Sequence, residues 1–336
     1  MFKKGRNGLA LAGLLAVMAA CGGPVKDYDY QPLKPADYFL PCQYANVEGI
    51  KIAYVETGPV SAPCLIFIHG LLGRLDNWRW NAPAFADRYH VLALDLPGFG
   101  NSEMADRDIT IELFARVVKG LMDQKGIARA AVIGNSMGGE TALFFAIHYP
   151  DRVDKLVLVD AAGLIRPQFF GRLIADHTNK VGDLIVHRVQ RRTKNKPASE
   201  IYPVLKDKVL NPERRRRVSI AFDLKNPNVL EMNDGYALYY ASLVKTREFE
   251  WHVKGALRSF RSIARTDLIG QVGAVRAPTL IIWGDQDQLI PPKFAEIFRK
   301  AIAGSRLVWI KDAGHIPMIE KPAEFNQALN EFLSGP

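Results

Sequence analysis

The segment Gly134-Asn135-Ser136-Met137-Gly138, followed by Gly139, joins an apolar run (Ala130 to Gly134) to a helical pattern that ends at Tyr149 before Pro150. Small residues two positions either side of a serine let the chain turn sharply and lift the hydroxyl clear of the backbone. The helix that follows directs its first amide hydrogens at negative charge developing nearby. Such a turn needs its strand inside a sheet and its helix packed on the sheet's face. The segment therefore constrains the chain to an α/β architecture.

The flanking pattern agrees with that demand. Ile50 to Glu56, Cys64 to His69, Tyr89 to Asp95 and Lys155 to Asp160 read as strands, and Ile109 to Lys125 reads as a helix. The rhythm breaks after residue 163 into helical patterns with Pro and Asn breaks and no buried strand. It resumes at Thr279 to Trp283 and Leu307 to Ile310 and ends in a helix, Pro322 to Leu333. The expected organisation is a mostly parallel central sheet with helices on both faces, made from residues 45–163 and 264–336. Residues 164–263 form a helical cap inserted between late strands, over the strand ends where ligands bind in open α/β sheets.

A serine hydroxyl is a poor nucleophile near neutral pH and needs a base. Histidines stand at 69, 90, 148, 177, 187, 252 and 315. His315, in Asp312-Ala313-Gly314-His315-Ile316-Pro317 just after the last expected strand, sits on a loop that can reach back across the sheet to Ser136. His90 and His148 fall inside expected elements; His177, His187 and His252 fall in the insertion. The base needs an acid to hold its tautomer. Trp283-Gly284-Asp285-Gln286-Asp287 follows an apolar strand and offers two carboxylates, while Asp160 after an earlier strand is a third. Spacing alone leaves these three open.

Residues 45–163 and 264–336 resemble the α/β-hydrolase superfamily. The resemblance rests on His69-Gly70, on Asp95-Leu96-Pro97-Gly98-Phe99-Gly100-Asn101-Ser102, on the serine turn, on Trp-Gly-x-x-Asp and on Gly314-His315. It implies the α/β-hydrolase fold with Ser136 as nucleophile, His315 as base and Asp287 as acid. It also implies an oxyanion hole made by the amides of Leu71 and Met137. Closer resemblance is to bacterial ester lipases and monoacylglycerol-lipase-like enzymes, through His69-Gly70-Leu71-Leu72-Gly73 and Asp76-Asn77-Trp78. The serine segment is shared with hydrolases that cleave C–C bonds in ring-fission products, which usually carry more glycine and a proline after His-Gly. The implied activity is cleavage of a carboxylic ester. C–C hydrolysis and a noncatalytic lipid-anchored binding protein are the alternatives. Phe169, Phe170, Leu173, Ile174, Tyr236, Leu238, Tyr239 and Tyr240 in the insertion are candidates for an acyl pocket.

The N-terminus carries a different message. Lys3, Lys4 and Arg6 precede a short apolar run, Leu9 to Ala20, too short to span a bilayer. This reads as an export signal. Met18-Ala19-Ala20-Cys21-Gly22 resembles a lipobox, with Met18 where leucine is usual. The resemblance implies cleavage before Cys21, lipid attachment there and a tether over 21–44. A bacterial envelope location follows, lipid-anchored at the outer membrane or periplasmic side, with secretion as the alternative. Cys42 and Cys64 are then the one pair available for a disulfide in an oxidising compartment. Apolar content of 48% and charged content of 24% are those of a globular protein. The net charge of +9 falls to +6 without the signal, too little to imply a nucleic-acid partner. No metal-ligand spacing and no dinucleotide glycine pattern is present, so neither metal nor cofactor is expected.

Overall fold

The computed structural model describes residues 38–104, 108–164, 178–210, 226–244 and 246–335. Cys21, His177, Phe169, Phe170, Leu173 and Ile174 lie outside the described residues, as does the whole expected signal. Eight strands form one sheet: β1 (Gln43–Val47), β2 (Ile50–Thr57), β3 (Cys64–Ile68), β4 (His90–Leu94), β5 (Ala130–Asn135), β6 (Val153–Val159), β7 (Thr279–Gly284) and β8 (Arg306–Ile310). Their order is β1-β2-β4-β3-β5-β6-β7-β8. β1 and β2 form an antiparallel hairpin, and β2 joins β4 antiparallel. From β4 onward every neighbour is parallel. The expected mostly parallel sheet is what the chain forms.

Helices cover both faces: α1 (Ile111–Gln124), α2 (Met137–His148), α7 (Lys293–Ala301), a short α8 (Pro317–Glu320) and α9 (Pro322–Ser334). Between β6 and β7 come α3 (Thr178–Thr193), α4 (Ala198–Leu210), α5 (Pro227–Leu243) and α6 (Arg247–Arg265). Parallel strands sit between two helical layers, so both faces are apolar, and all five residues of β3 are buried. Alternate side chains feed two cores. Ile66, Ile68, Leu94 and Val132 pack with Phe114, Phe145 and Phe298 from α1, α2 and α7. Leu65, Phe67, Ala93 and Ile133 pack with Trp78, Phe85 and Phe325 on the other side. α1 starts where the Thr110 hydroxyl accepts the Leu113 amide at 3.0 Å, satisfying an amide left unpaired by helix geometry.

The four inserted helices have a small core of their own, including Val189, Ile201, Ala237, Phe249 and Leu257. α5 is pinned at both ends to the sheet domain. Asn226 and Asn228 donate to the Glu320 and Ile319 carbonyls at 2.7 and 2.9 Å. Tyr236 donates to Asn77 Oδ1 at 2.8 Å, and Tyr239 to the Gly100 carbonyl at 2.6 Å. Those two candidate pocket tyrosines thus fasten α5 to the loops after β3 and β4. Arg74 lies among the rings of Tyr38, Tyr236 and Tyr239, its guanidinium 5.0 to 5.5 Å from their centres.

Two expectations need correction. The expected tether over 21–44 joins the fold earlier, because Tyr38 is buried and bonded to Asp95 and β1 begins at Gln43. Cys42 and Cys64 are free thiols, not a disulfide. Cys42 precedes Gln43, which pairs with Tyr54, and Tyr54 pairs with Leu94. Cys64 pairs with His90, at the opposite end of β4. Two strands and most of a strand's length separate them, well beyond the roughly 7 Å that a bridge tolerates between Cα atoms.

Because β3 to β8 are parallel, the loops leaving β3, β5, β6, β7 and β8 all open at one end of the sheet. That end receives His69, Ser136, Asp160, Asp287 and His315.

Candidate active site

Ser136 links β5 to α2 with φ 56° and ψ −115°, a conformation that costs a non-glycine residue about 1–3 kcal/mol. The surroundings hold it there. Its amide donates to the Val159 carbonyl at 2.9 Å, and its carbonyl accepts the Glu140 and Ala162 amides at 3.0 and 2.9 Å. Gly138 has to be glycine, since a Cβ there would lie 2.5 Å from the His69 carbonyl oxygen. Met137 is the first residue of α2, so its amide has no partner within the helix.

The loop after β3 comes against the serine: a Cβ on Gly70 would stand 3.1 Å from Ser136 Cβ. Leu71 is the next residue and Leu72 takes φ 63°, so this segment is a tight turn, closed by the Gly73 amide on the Gly70 carbonyl at 3.0 Å. His69 fixes where the loop starts. The Leu96 amide donates to His69 Nε2 at 3.0 Å, so the hydrogen is on Nδ1, which donates to the Gly70 carbonyl at 2.7 Å. Burial lowers the His69 pKa to about 4, in keeping with a ring that must accept. Asp95 performs a similar task one strand away. Its carboxyl accepts the Leu75 and Asn101 amides at 2.7 and 2.8 Å and the Tyr38 hydroxyl, while burial raises its pKa to about 6.

The loop after β8 carries His315, buried, with Nδ1 2.8 Å from Asp287 Oδ2. Asp287 Oδ1 accepts the Leu289 and Ile290 amides at 2.7 and 3.0 Å. Asp285 faces elsewhere, half-exposed, accepting the Asp312 amide at 2.8 Å. Of the three carboxylates left open by the sequence, Asp287 is thus the one bonded to His315. With Nδ1–H given to Asp287, Nε2 remains to accept a proton. Asn135, beside the serine, donates to the His315 carbonyl at 3.1 Å and so ties the two loops together.

The other described histidines make no hydrogen bond to Ser136 or Asp287 among the contacts seen. His90 is buried against Glu56 at 2.7 Å, and His148 lies exposed with its ring against Phe144. His187 is exposed, and His252 approaches Tyr239 and the Gly100 carbonyl at 2.9 and 3.0 Å.

Three roles escaped the sequence. His69 orients a loop, Asn135 couples the serine to the histidine, and Glu320 brackets His315 by accepting the Gly314 amide at 3.0 Å and the Ile316 amide at 3.3 Å. The signal for Glu320 was its place at the end of Ile316-Pro317-Met318-Ile319, an apolar run in which a lone carboxylate needs a reason. The fold also gathers Asp160, Asp287 and His315 from distant positions, one nitrogen or carboxylate oxygen of each lying within 4.8 Å of the others. His315 Nδ1 is engaged by Asp287 in this group, which makes it an acid–base cluster suited to moving protons.

The sequence pattern of the alpha/beta hydrolase fold matches residues 63–322. Among curated proteins, the chain is 31% identical to the dihydrolipoyllysine-residue acetyltransferase component of the acetoin cleaving system of Cupriavidus necator, over 97% of this chain and 79% of that one. It is 30% identical to the 2-hydroxy-6-oxo-6-phenylhexa-2,4-dienoate hydrolase of Comamonas testosteroni, over 86% of this chain and 93% of that one. Among solved structures, a bacterial membrane phospholipase A superposes with TM-score 0.64 at 28% identity, covering 88% of this chain and 86% of that one. On its sheet topology, its serine turn and this match, the chain belongs to the alpha/beta hydrolase fold family.

Proposed function

We propose that this protein is a serine hydrolase that cleaves carboxylic esters with apolar acyl groups. The observation that carries the reading is the buried His315–Asp287 pair at 2.8 Å, on the sheet end where Ser136 sits on its strained turn. Ser136 Oγ attacks the ester carbonyl as His315 Nε2 takes its proton, with Asp287 holding the imidazole's orientation and stabilising its charge. The amides of Leu71 and Met137 receive the oxyanion, each worth about 3 kcal/mol in the transition state. The alcohol departs with the proton held on His315. Water, deprotonated by the same histidine, then releases the acid. The mechanism asks for no metal or organic cofactor. The likeness to a phospholipase A supports an ester substrate.

Ser136→Ala should abolish hydrolysis of p-nitrophenyl butyrate and labelling by a fluorophosphonate while leaving the melting temperature within a few degrees. Labelling that survives in this variant would overturn the reading, and a wild type with neither activity nor labelling would favour a noncatalytic binding protein. C–C hydrolysis is a second reading, favoured by the 30% identity to the Comamonas enzyme. Efficient cleavage of a vinylogous 1,5-diketone with negligible ester turnover would establish it in place of the first.

We also propose that the chain is exported and lipid-anchored through Cys21 at the periplasmic side of the bacterial envelope. The support is the order of charges, apolar run and Ala19-Ala20-Cys21-Gly22 in the sequence. Among the described residues no helix is long and apolar enough to cross a membrane. In a bacterial host, Cys21→Ser should block incorporation of labelled fatty acid. Absence of label in the wild type would refute the anchor.

A further inference from the structure

Asp160 is fully buried at the end of β6 with φ 43°, beside the loop that bears Asp287. Its amide donates to the Ile282 carbonyl at 3.1 Å, and its Oδ1 accepts the Gly284 amide at 3.0 Å. Both contacts are to β7, whose following loop carries Asp287. Its second oxygen, Oδ2, is buried without a hydrogen-bond partner. Asp287 and His315 each bring an atom within 4.8 Å. Two carboxylates this close in a dry site do not both ionise readily. Burial pushes the Asp160 carboxyl well above the ordinary range, and the negative charges of Asp287 and, more weakly, Glu320 push it the same way.

The geometry assigns Asp160 as a positioning residue of the hydrolytic centre. It carries the one proton of a carboxyl pair with Asp287, directed at Asp287 directly or through a bound water, and it can partner His315 when Asp287 is lost. This rests on the reading of Ser136, His315 and Asp287 as the triad. The O–H steadies Asp287 and satisfies Oδ2 without a second negative charge. With Asp287 gone, the proton on Asp160 passes to solvent and its carboxylate faces His315. The groups that face Asp160 are then His315 on the β8 loop and Glu320 on α8.

The test uses the intact protein with single and double variants. Loss of a triad acid with no substitute costs about 10⁴-fold in turnover. Asp287→Ala should cost about 10²-fold, because Asp160 takes its place, and Asp287→Ala with Asp160→Asn should fall the full about 10⁴-fold. Asp160→Asn alone, whose amide still donates and still accepts from Gly284, should cost roughly threefold. The residual activity of Asp287→Ala requires an ionised Asp160. It should therefore rise with pH along a limb displaced upward from the wild type, and the double variant should lack that limb. Asp287→Asn provides a second background if the alanine variant melts poorly. Equal activity of each Asp287 variant and its double would overturn the proposal, and so would Asp160→Asn as damaging as Asp287→Ala. Ser136→Ala in each background separates this from the triad reading: labelling that persists there refutes the triad, whatever Asp160 does.

Discussion

Gly284→Ala tests the geometry of the site without touching a group that performs chemistry. Gly284 ends β7 opposite Ile310 of β8, and the acid loop and the histidine loop leave the sheet from this pair. A methyl group there would lie 2.5 Å from the Ala313 carbonyl oxygen, 2.9 Å from its carbon and closer still to the Gly314 oxygen. Carbon and oxygen atoms approach to about 3.3 Å at best, so this backbone has to retreat by about 1 Å. No side-chain rotation relieves the clash, because every neighbour is main chain. His315 follows directly. Its 2.8 Å contact to Asp287 would stretch to about 3.8 Å, no longer a hydrogen bond. A misplacement of about 1 Å costs about 10²-fold, and full loss of the acid about 10⁴-fold, so kcat/KM should fall within those limits. Overpacking should cost about 1–3 kcal/mol, or roughly 2–5 °C in melting temperature. Ester hydrolysis, fluorophosphonate labelling and a thermal melt read both effects. A variant that melts lower yet keeps wild-type kcat/KM would refute the dependence of catalysis on this pair of loops.

His69 and Asp95 should oppose each other in acid. His69 titrates near 4 in the fold against 6.5 unfolded, so stability is lost as pH falls through that window, by about 3 kcal/mol at most. Asp95 titrates near 6 against 3.8, so its contribution is complete below 3.8 and is lost, by a similar amount, as pH rises through 6. Relative to wild type, His69→Asn should gain stability on going from pH 6.5 to 4.5 and Asp95→Asn should lose it; parallel denaturation curves for all three would exclude the assignment. Glu140 is buried with both carboxyl oxygens unpartnered, and burial holds its pKa well above the carboxylate range. Infrared spectra at pH 7 should show protonated carboxyls of which Glu140→Gln removes one and Asp160→Asn another. Burial pushes the Cys64 thiol up to about 12, so it should resist thiol reagents until the protein unfolds. Reductant should leave the melting temperature unchanged, and a downward shift would mean that Cys42 and Cys64 are bridged after all.

Much of this site was legible because local chemistry and local structure coincide in it. Ser136 lies between an unbroken apolar strand and a helix, so its turn is written in five residues. His315 and Asp287 follow β8 and β7, and parallel strands deliver such loops to one end of the sheet. What resisted reading depended on contacts between distant segments. β1 has one buried residue in five, Val47, too weak an alternation to mark an edge strand among Gln43, Tyr44 and Asn46. Cys42 and Cys64 flank the β1–β2 hairpin in sequence, but the strand order inserts β4 between β2 and β3. Asp285 and Asp287 are equivalent by spacing and differ in burial, which follows from how the loop folds back on Asp312. Asn135 acts through the backbone carbonyl of a loop 180 residues away, and such a partner leaves no trace in residue type.

Three carboxyl groups, Asp160, Asp287 and Glu320, crowd one histidine in a buried site, and counting donors explains how that is tolerated. Asp287 accepts from His315 Nδ1 and from two backbone amides. Glu320 accepts from the amides on either side of His315. Each hydrogen bond to a carboxylate favours its charged form, so these two can carry charge where solvent cannot help. Asp160 has the Gly284 amide at one oxygen and no donor at the other. A shared proton therefore belongs on Asp160, whose unpartnered oxygen gains most by carrying it. The loops that fix His315 are the same ones that supply these amides, so the orientation of the histidine and the charge state of the acids have a common origin. A change to backbone geometry, such as a methyl at Gly284, should disturb both together, whereas a change in the inserted helices should reach substrate choice first.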